Sequence, residues 1–206
     1  RTVPSFTRNW LVKQHSASLP APPMQRFDKL ALAVLLAALL LWVALPLHGL
    51  TGGALALAGG MHAVRLARWT GHRTLAEPLV TVLHAGYAFV PLGAMVLAAE
   101  ILAPGMFGMA GAMHLWMAGA IGLMTLAVMT RATLGHTGQT LTAGAGTITL
   151  YAALILSVLA RVAAGLWPGL PVPLHTVAGI AWIAAFGGFA VIYGPLLLRL
   201  PAAKRV

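Results

Sequence analysis

The stretch AMHLWMAGAIGLMTLAVMTRATLGHTGQT, residues 112–140, decides the fold class. Sixteen residues without a charge lie between His114 and Arg131, and hydrocarbon rejects both boundary groups. As a helix, the step from His114 to Arg131 covers roughly 25 Å, close to the thickness of a bilayer core. The segment therefore reads as a transmembrane helix with a histidine near one membrane face and Arg-Ala-Thr-Leu-Gly-His-Thr-Gly at the other. Ionisable side chains inside such spans are costly, so each is a candidate for function.

The rest of the chain has the same character. Hydrophobic residues make up 60% of its 206 positions and charged residues 8%, against roughly 25% charged in soluble domains. Six apolar segments can be read, at residues 30–50, 51–67, 79–102, 113–131, 145–160 and 173–198. The second and fifth are short for a span, and Arg65 in the second must reach toward the headgroups. Alternation with a period of two, the mark of a barrel, is absent. The expected fold is thus all-α, a polytopic transmembrane helix bundle of six spans. Small residues recur every four positions at Gly52, Ala56 and Gly60 and at Ala118 and Gly122, which predicts close helix contacts there.

Charge sets the expected orientation. The formal charge is +10, and alternating the six spans puts twelve of the thirteen basic residues on one side, with only Arg161 on the other. By the positive-inside rule both termini are cytoplasmic. The basic excess is then a topology signal rather than a nucleic-acid footprint, and no nucleic-acid partner is expected. Residues 1–29, with Pro4, Pro20, Pro22 and Pro23, read as a cytoplasmic linker without a cleaved signal peptide. Residues 30–199 form the transmembrane domain, and residues 200–206 a cytoplasmic tail.

No cysteine is present, which excludes disulfides, zinc-thiolate sites and iron–sulfur clusters within the chain. Any metal must be held by His, Met, carboxylate or backbone. On the topology above, His62, His84 and His136 lie toward the cytoplasmic side, and His48, His114 and His175 toward the other. His15 and His72 fall in basic segments. Neutral imidazoles suit haem iron or copper; alternatively, each hydrogen-bonds a neighbouring carbonyl or sits among headgroups, the favoured reading for His48 and His175. Tyr87 and Pro91 follow His84 at three and seven residues, on one helix face, and Pro91 predicts a kink or a freed acceptor. Met106, Met109, Met113, Met117 and Met124 fall on one arc of an ideal helix, which reads as a packing face before it reads as a copper path. Arg131 suits lipid phosphate or a bound anion such as a propionate. Asp28, Glu77 and Glu100 are the only acids; no catalytic pair can be drawn, and Glu77 before Pro78 marks a helix start.

The block MTRATLGHTG (residues 129–138), preceded by HLWMAGAIGLMTLAV, resembles the NnrS family, bacterial inner-membrane proteins linked to the response to nitric oxide. VLHAGYAFVPLG (82–93) and RTVPSFTRNWL (1–11) support the likeness, with MHAVRLARW (61–69) and YGPLLLR (193–199) as weaker echoes. Members are about twice this length with about a dozen spans, so the resemblance, with the initial Arg, implies the C-terminal half, partnered by an N-terminal half. It also implies haem, expected to be b-type, and copper, with nitric oxide or a related small ligand in nitrosative stress. His84, His114 and His136 stand inside the matching passages and are the leading metal ligands, followed by His62, with Arg131 and Tyr87 beside the cofactor. Sequestration, redox turnover and protection of a metal pool all fit. The rivals are a copper or small-solute transporter and a structural membrane subunit.

Overall fold

A computed structural model describes residues 1–167, 169–170 and 172–198. Among these residues there are seven helices and no strand: α1 (Thr2–Lys13), α2 (Arg26–Ala44), α3 (Gly49–Ala67), α4 (Pro78–Leu102), α5 (Met109–His136), α6 (Ala145–Leu166) and α7 (Leu174–Leu197). The residues read as a cytoplasmic tail lie outside the described residues.

Five helices, α2, α4, α5, α6 and α7, are long and apolar enough to cross a membrane. The sixth expected span, α3, falls short in apolar character rather than in length. Its 19 residues extend roughly 28 Å, but they include His62, Arg65 and five glycines. The fifth apolar run, read as residues 145–160, continues as helix to Leu166.

The segment expected as a linker contains a helix. Val3, Pro4, Thr7 and Leu11 are the buried residues of α1. Their 3–4 spacing is that of one helix face, and Pro4 lies in the first turn, where its missing N–H costs nothing. Sequence reading missed this stripe because four prolines and scattered basic residues in the first 29 positions look like a solvated leader.

Local signals account for the starts of the next elements. Gln25 and Asp28 cap α2 reciprocally, the Gln25 N–H donating to Asp28 Oδ2 at 2.9 Å. Glu77 caps α4 by accepting from the Leu79 N–H, with Pro78 in the first turn, as expected.

From α2 onward consecutive helices run antiparallel, and specific contacts fix the register. Asp28 meets Arg65 near one end of the α2–α3 pair, and Thr51 Oγ1 donates to the Leu45 carbonyl at the other. Between α4 and α5, Trp116 Nε1 donates to the Val90 carbonyl at 2.9 Å, and Gly86 faces Met124. Thr147 bonds Tyr193 between α6 and α7, while Ser157 Oγ donates to the Ala178 carbonyl two to three turns away. One core is built on Leu83, Leu123, Leu126, Leu154 and Val158, and a second on Ala38, Leu55, Ala58 and Leu97 between α2, α3 and α4.

The packing row of α3 differs from the expected one. Gly52 lies against Leu102 and Gly59 against Met95 and the Pro91 carbonyl, but Gly60 has open space and Ala56 is exposed. The row in contact is Gly52, Leu55, Gly59 and His62, which follows the 3.6-residue turn; a strict four-residue row drifts off that face.

Helix α5 is not uniform. Leu115–Gly122 is a π-helix of eight residues, with i→i+5 bonds that widen the turn. This breaks the expected methionine arc. Met106 precedes the helix, Met109 packs against the second core, Met124 fills the space beside Gly86, and Met117 is exposed.

Candidate functional site

At the end of the bundle where α2 begins, four buried or half-buried polar side chains form one chain of hydrogen bonds. Arg65 donates from Nε to Asp28 Oδ1 at 2.8 Å and from one terminal nitrogen to Tyr87 Oη at 2.7 Å. Tyr87 lies 2.6 Å from His62 Nδ1, and His62 Nε2 lies 3.2 Å from the Ala31 carbonyl. A carbonyl can only accept, so Nε2 carries the imidazole proton and Nδ1 accepts from Tyr87. The Arg65 guanidinium also stacks 4.9 Å from the Trp69 ring centroid. Every polar atom of His62 is thereby used within the protein, and the residue is 2% exposed. A metal ligand needs a free lone pair, and in this arrangement His62 has none.

His84 sits apart from this network. Thr7 Oγ1 donates to the Val3 carbonyl at 2.9 Å and so accepts from His84 Nε2 at 2.7 Å. That bond ties α1 to α4. The other nitrogen, Nδ1, is buried without a hydrogen-bond partner among the described residues. It faces Gly71, where a β-carbon would collide with the ring. The lone pair is available in chemistry but closed in space, because an ion at ligand distance must displace the Gly71–Thr74 turn.

The two ends of α5 carry two separate cavities. One, of about 480 Å³, lies among α5, α6 and α7 and is lined by His114, Met117, Ser157, Arg161, His175 and Trp182. His114 Nδ1 is 2.6 Å from the Ala110 carbonyl, so Nδ1 holds the proton and Nε2 keeps its lone pair. That is the arrangement by which a backbone carbonyl fixes the tautomer of a ligating imidazole. The second cavity, of about 490 Å³, lies between α1, α4 and α5 and is lined by Thr2, Phe6, Leu83, Arg131, His136 and Leu141, among others. Arg131 lies 4.2 Å over the Phe6 ring.

The candidate residues therefore do not converge on one centre. His62 and Tyr87 share the buried network, His84 is tied to α1, His136 and Arg131 border one cavity, and His114 borders the other. Among the described residues no group of three or more His, Asp or Glu side chains is placed to hold a metal ion. The two α5 cavities differ in what they offer. The His114 cavity holds two imidazoles, a thioether and a guanidinium; the Arg131 cavity holds one imidazole and a guanidinium.

The chain matches the NnrS protein family over residues 1–200. It belongs to that family. No curated protein and no solved structure matches it. For an NnrS-family chain the His114 cavity contains residues that sequence reading passed over. From sequence alone His175 reads as an interfacial residue, and Arg161 stands out only as the exception to the charge pattern. Arg161 itself is the available signal: a guanidinium set apart in sequence from the other basic residues needs a local reason. Ser157, four residues earlier on the same helix face, anchors α6 to Ala178 of α7 beside it.

Proposed function

We propose that this NnrS-family chain is a nitric oxide-response protein of the bacterial inner membrane, with six spans, cytoplasmic termini and a haem site in the His114 cavity. α3 completes the six spans: it runs antiparallel between α2 and α4, and its polar residues, Arg65 and His62, are consumed inside the bundle. The positive-inside pattern then places the Asp28–Arg65 end at the cytoplasm and the His114 cavity at the opposite face.

The observation that carries the haem assignment is the 2.6 Å approach of His114 Nδ1 to the Ala110 carbonyl. That contact holds the Nδ1–H, which leaves Nε2 as a donor in a cavity shared with His175 and Arg161. The donor set fits haem: a neutral imidazole for the iron, a second imidazole, and a guanidinium suited to a propionate. Haem bound there would supply an iron centre that takes nitric oxide as a ligand. The protein's part is to orient His114 through Ala110, to fix the α6–α7 wall through Ser157 and Ala178, and to keep the walls apolar with Ala118, Trp182 and Ala178. Which family activity follows depends on His175: a second strong ligand favours electron transfer, and an open position favours binding of the gas.

Copper is the second reading, favoured by Met117. Two imidazoles and a thioether suit Cu(I), and all three groups border the same cavity. Haem and copper quantification on the intact protein separates the two. With haem at this site, His114→Ala lowers haem content and leaves copper unchanged, and His175→Ala does the same where His175 is the second ligand; with copper, both variants lower copper and leave haem unchanged. If both variants fold and retain both cofactors at parent levels, the site lies elsewhere.

A further inference from the structure

The cavity at the other end of α5 is not used by the function proposed above, and its chemistry is different. Its walls include Phe6, Leu83, Val128, Ala132 and Leu141, and its polar groups are Thr2, Arg131 and His136. No acid borders it. Among the described residues Arg65–Asp28 is the one ion pair, so Arg131 has no carboxylate there. Its guanidinium is instead set over the Phe6 ring, where the cation–π contact fixes the fork without neutralising its charge. The complement of this cavity is an anion joined to an apolar body.

We infer that the cavity between α1, α4 and α5 binds the phosphate of an anionic phospholipid, with an acyl chain along the Leu83–Val128–Leu141 wall. Two observations and one general tendency point to a lipid rather than a soluble anion. The apolar wall has no use for a free oxyanion. Arg131 closes an uncharged run that begins after His114 in one of the helices long enough to cross a membrane, the depth at which headgroup phosphate lies. Basic pockets between spanning helices are known binders of anionic headgroups. The roof of the cavity is α1, whose Thr2 and Phe6 line it while Arg8 and Lys13 are exposed. A lipid seated there holds α1 against the bundle from the membrane side, as the Thr7–His84 bond holds it from within.

The test is native mass spectrometry of the intact protein, reading phospholipid retained per molecule. The wild type should retain one anionic phospholipid in preference to zwitterionic ones. Arg131→Gln should lower that retention about fivefold or more, while Arg8→Gln, outside the cavity, should not. Ala132→Trp keeps Arg131 but fills the cavity, and should also expel the lipid; it provides the answer if Arg131→Gln does not accumulate. Millimolar inorganic phosphate should leave the lipid in place. Equal retention of anionic and zwitterionic lipid by the wild type overturns the inference, as does undiminished retention in both cavity variants. Displacement by inorganic phosphate would reassign the site to a free oxyanion.

Discussion

Arg65 Nε and Asp28 Oδ1 lie 2.8 Å apart with side chains only 6% and 4% exposed, so an ion pair joins α2 to α3 inside the bundle. Removing one charge leaves the other buried, and such losses cost about 3–5 kcal/mol. Because Arg65 keeps Tyr87 and the Trp69 ring, Asp28→Asn should fall at the lower end, about 3 kcal/mol. Denaturant unfolding in detergent checks this. A change below about 0.5 kcal/mol would mean that the pair is solvated and worth no more than a surface contact.

Tyr87→Phe removes the oxygen that accepts from Arg65 and the hydroxyl that donates to His62. Two buried polar groups then lose a partner, with an expected cost of about 1–3 kcal/mol. The effect should be less than additive with Asp28→Asn, since both substitutions act on Arg65. A double-mutant cycle on unfolding free energy reads the coupling; strict additivity would argue against one connected network.

Gly71→Ala places a β-carbon where the His84 ring lies. Either the turn or the ring must move, at an expected cost of about 1–3 kcal/mol, and the Thr7–His84 bond is lost with it. Limited proteolysis should then cut within residues 1–25 much sooner than in the parent. Thr7→Val should act in the same direction without touching the turn. Unchanged cleavage in both would show that α1 is held by something other than His84.

Glu100 organises the connection into α5 by accepting from the N–H groups of Gly105, Phe107 and Gly108 at 2.9, 2.8 and 3.1 Å. Gly105 and Gly108 both adopt positive φ, +92° and +71°, and the carboxylate is what holds this turn closed. Glu100→Ala should speed amide exchange at Gly105, Phe107 and Gly108 and destabilise the chain by about 2 kcal/mol. Exchange rates equal to those of the parent would show that the turn is set by the glycines alone.

The fold was largely legible because hydrophobic runs of spanning length have few alternatives in lipid. The helix start at Glu77-Pro78 and the antiparallel alternation of the helices follow from local rules. Three features were not legible. The α1 stripe of Val3, Pro4, Thr7 and Leu11 is too sparse to stand out. The π-helix at Leu115–Gly122 contains Gly119 and Gly122 but no proline, and glycines alone do not announce i→i+5 bonding in so apolar a run. Sequence position gives the depth of each histidine in the bundle, but depth says nothing of azimuth. His62 and His84 do enter the same half of the bundle, yet one points to Tyr87 and the other to Thr7. Convergence of His114 with His175 required the α5–α7 contact, which no single segment encodes.

Haem ligation by His114 Nε2 is read from the spectrum of the reduced, intact protein with and without nitric oxide. The parent should show a haem band that nitric oxide shifts; the band should persist in His62→Ala and be lost or strongly reduced in a folded His114→Ala variant. A folded His114→Ala protein with the parent's haem band and the parent's nitric oxide shift would show that the iron is held elsewhere.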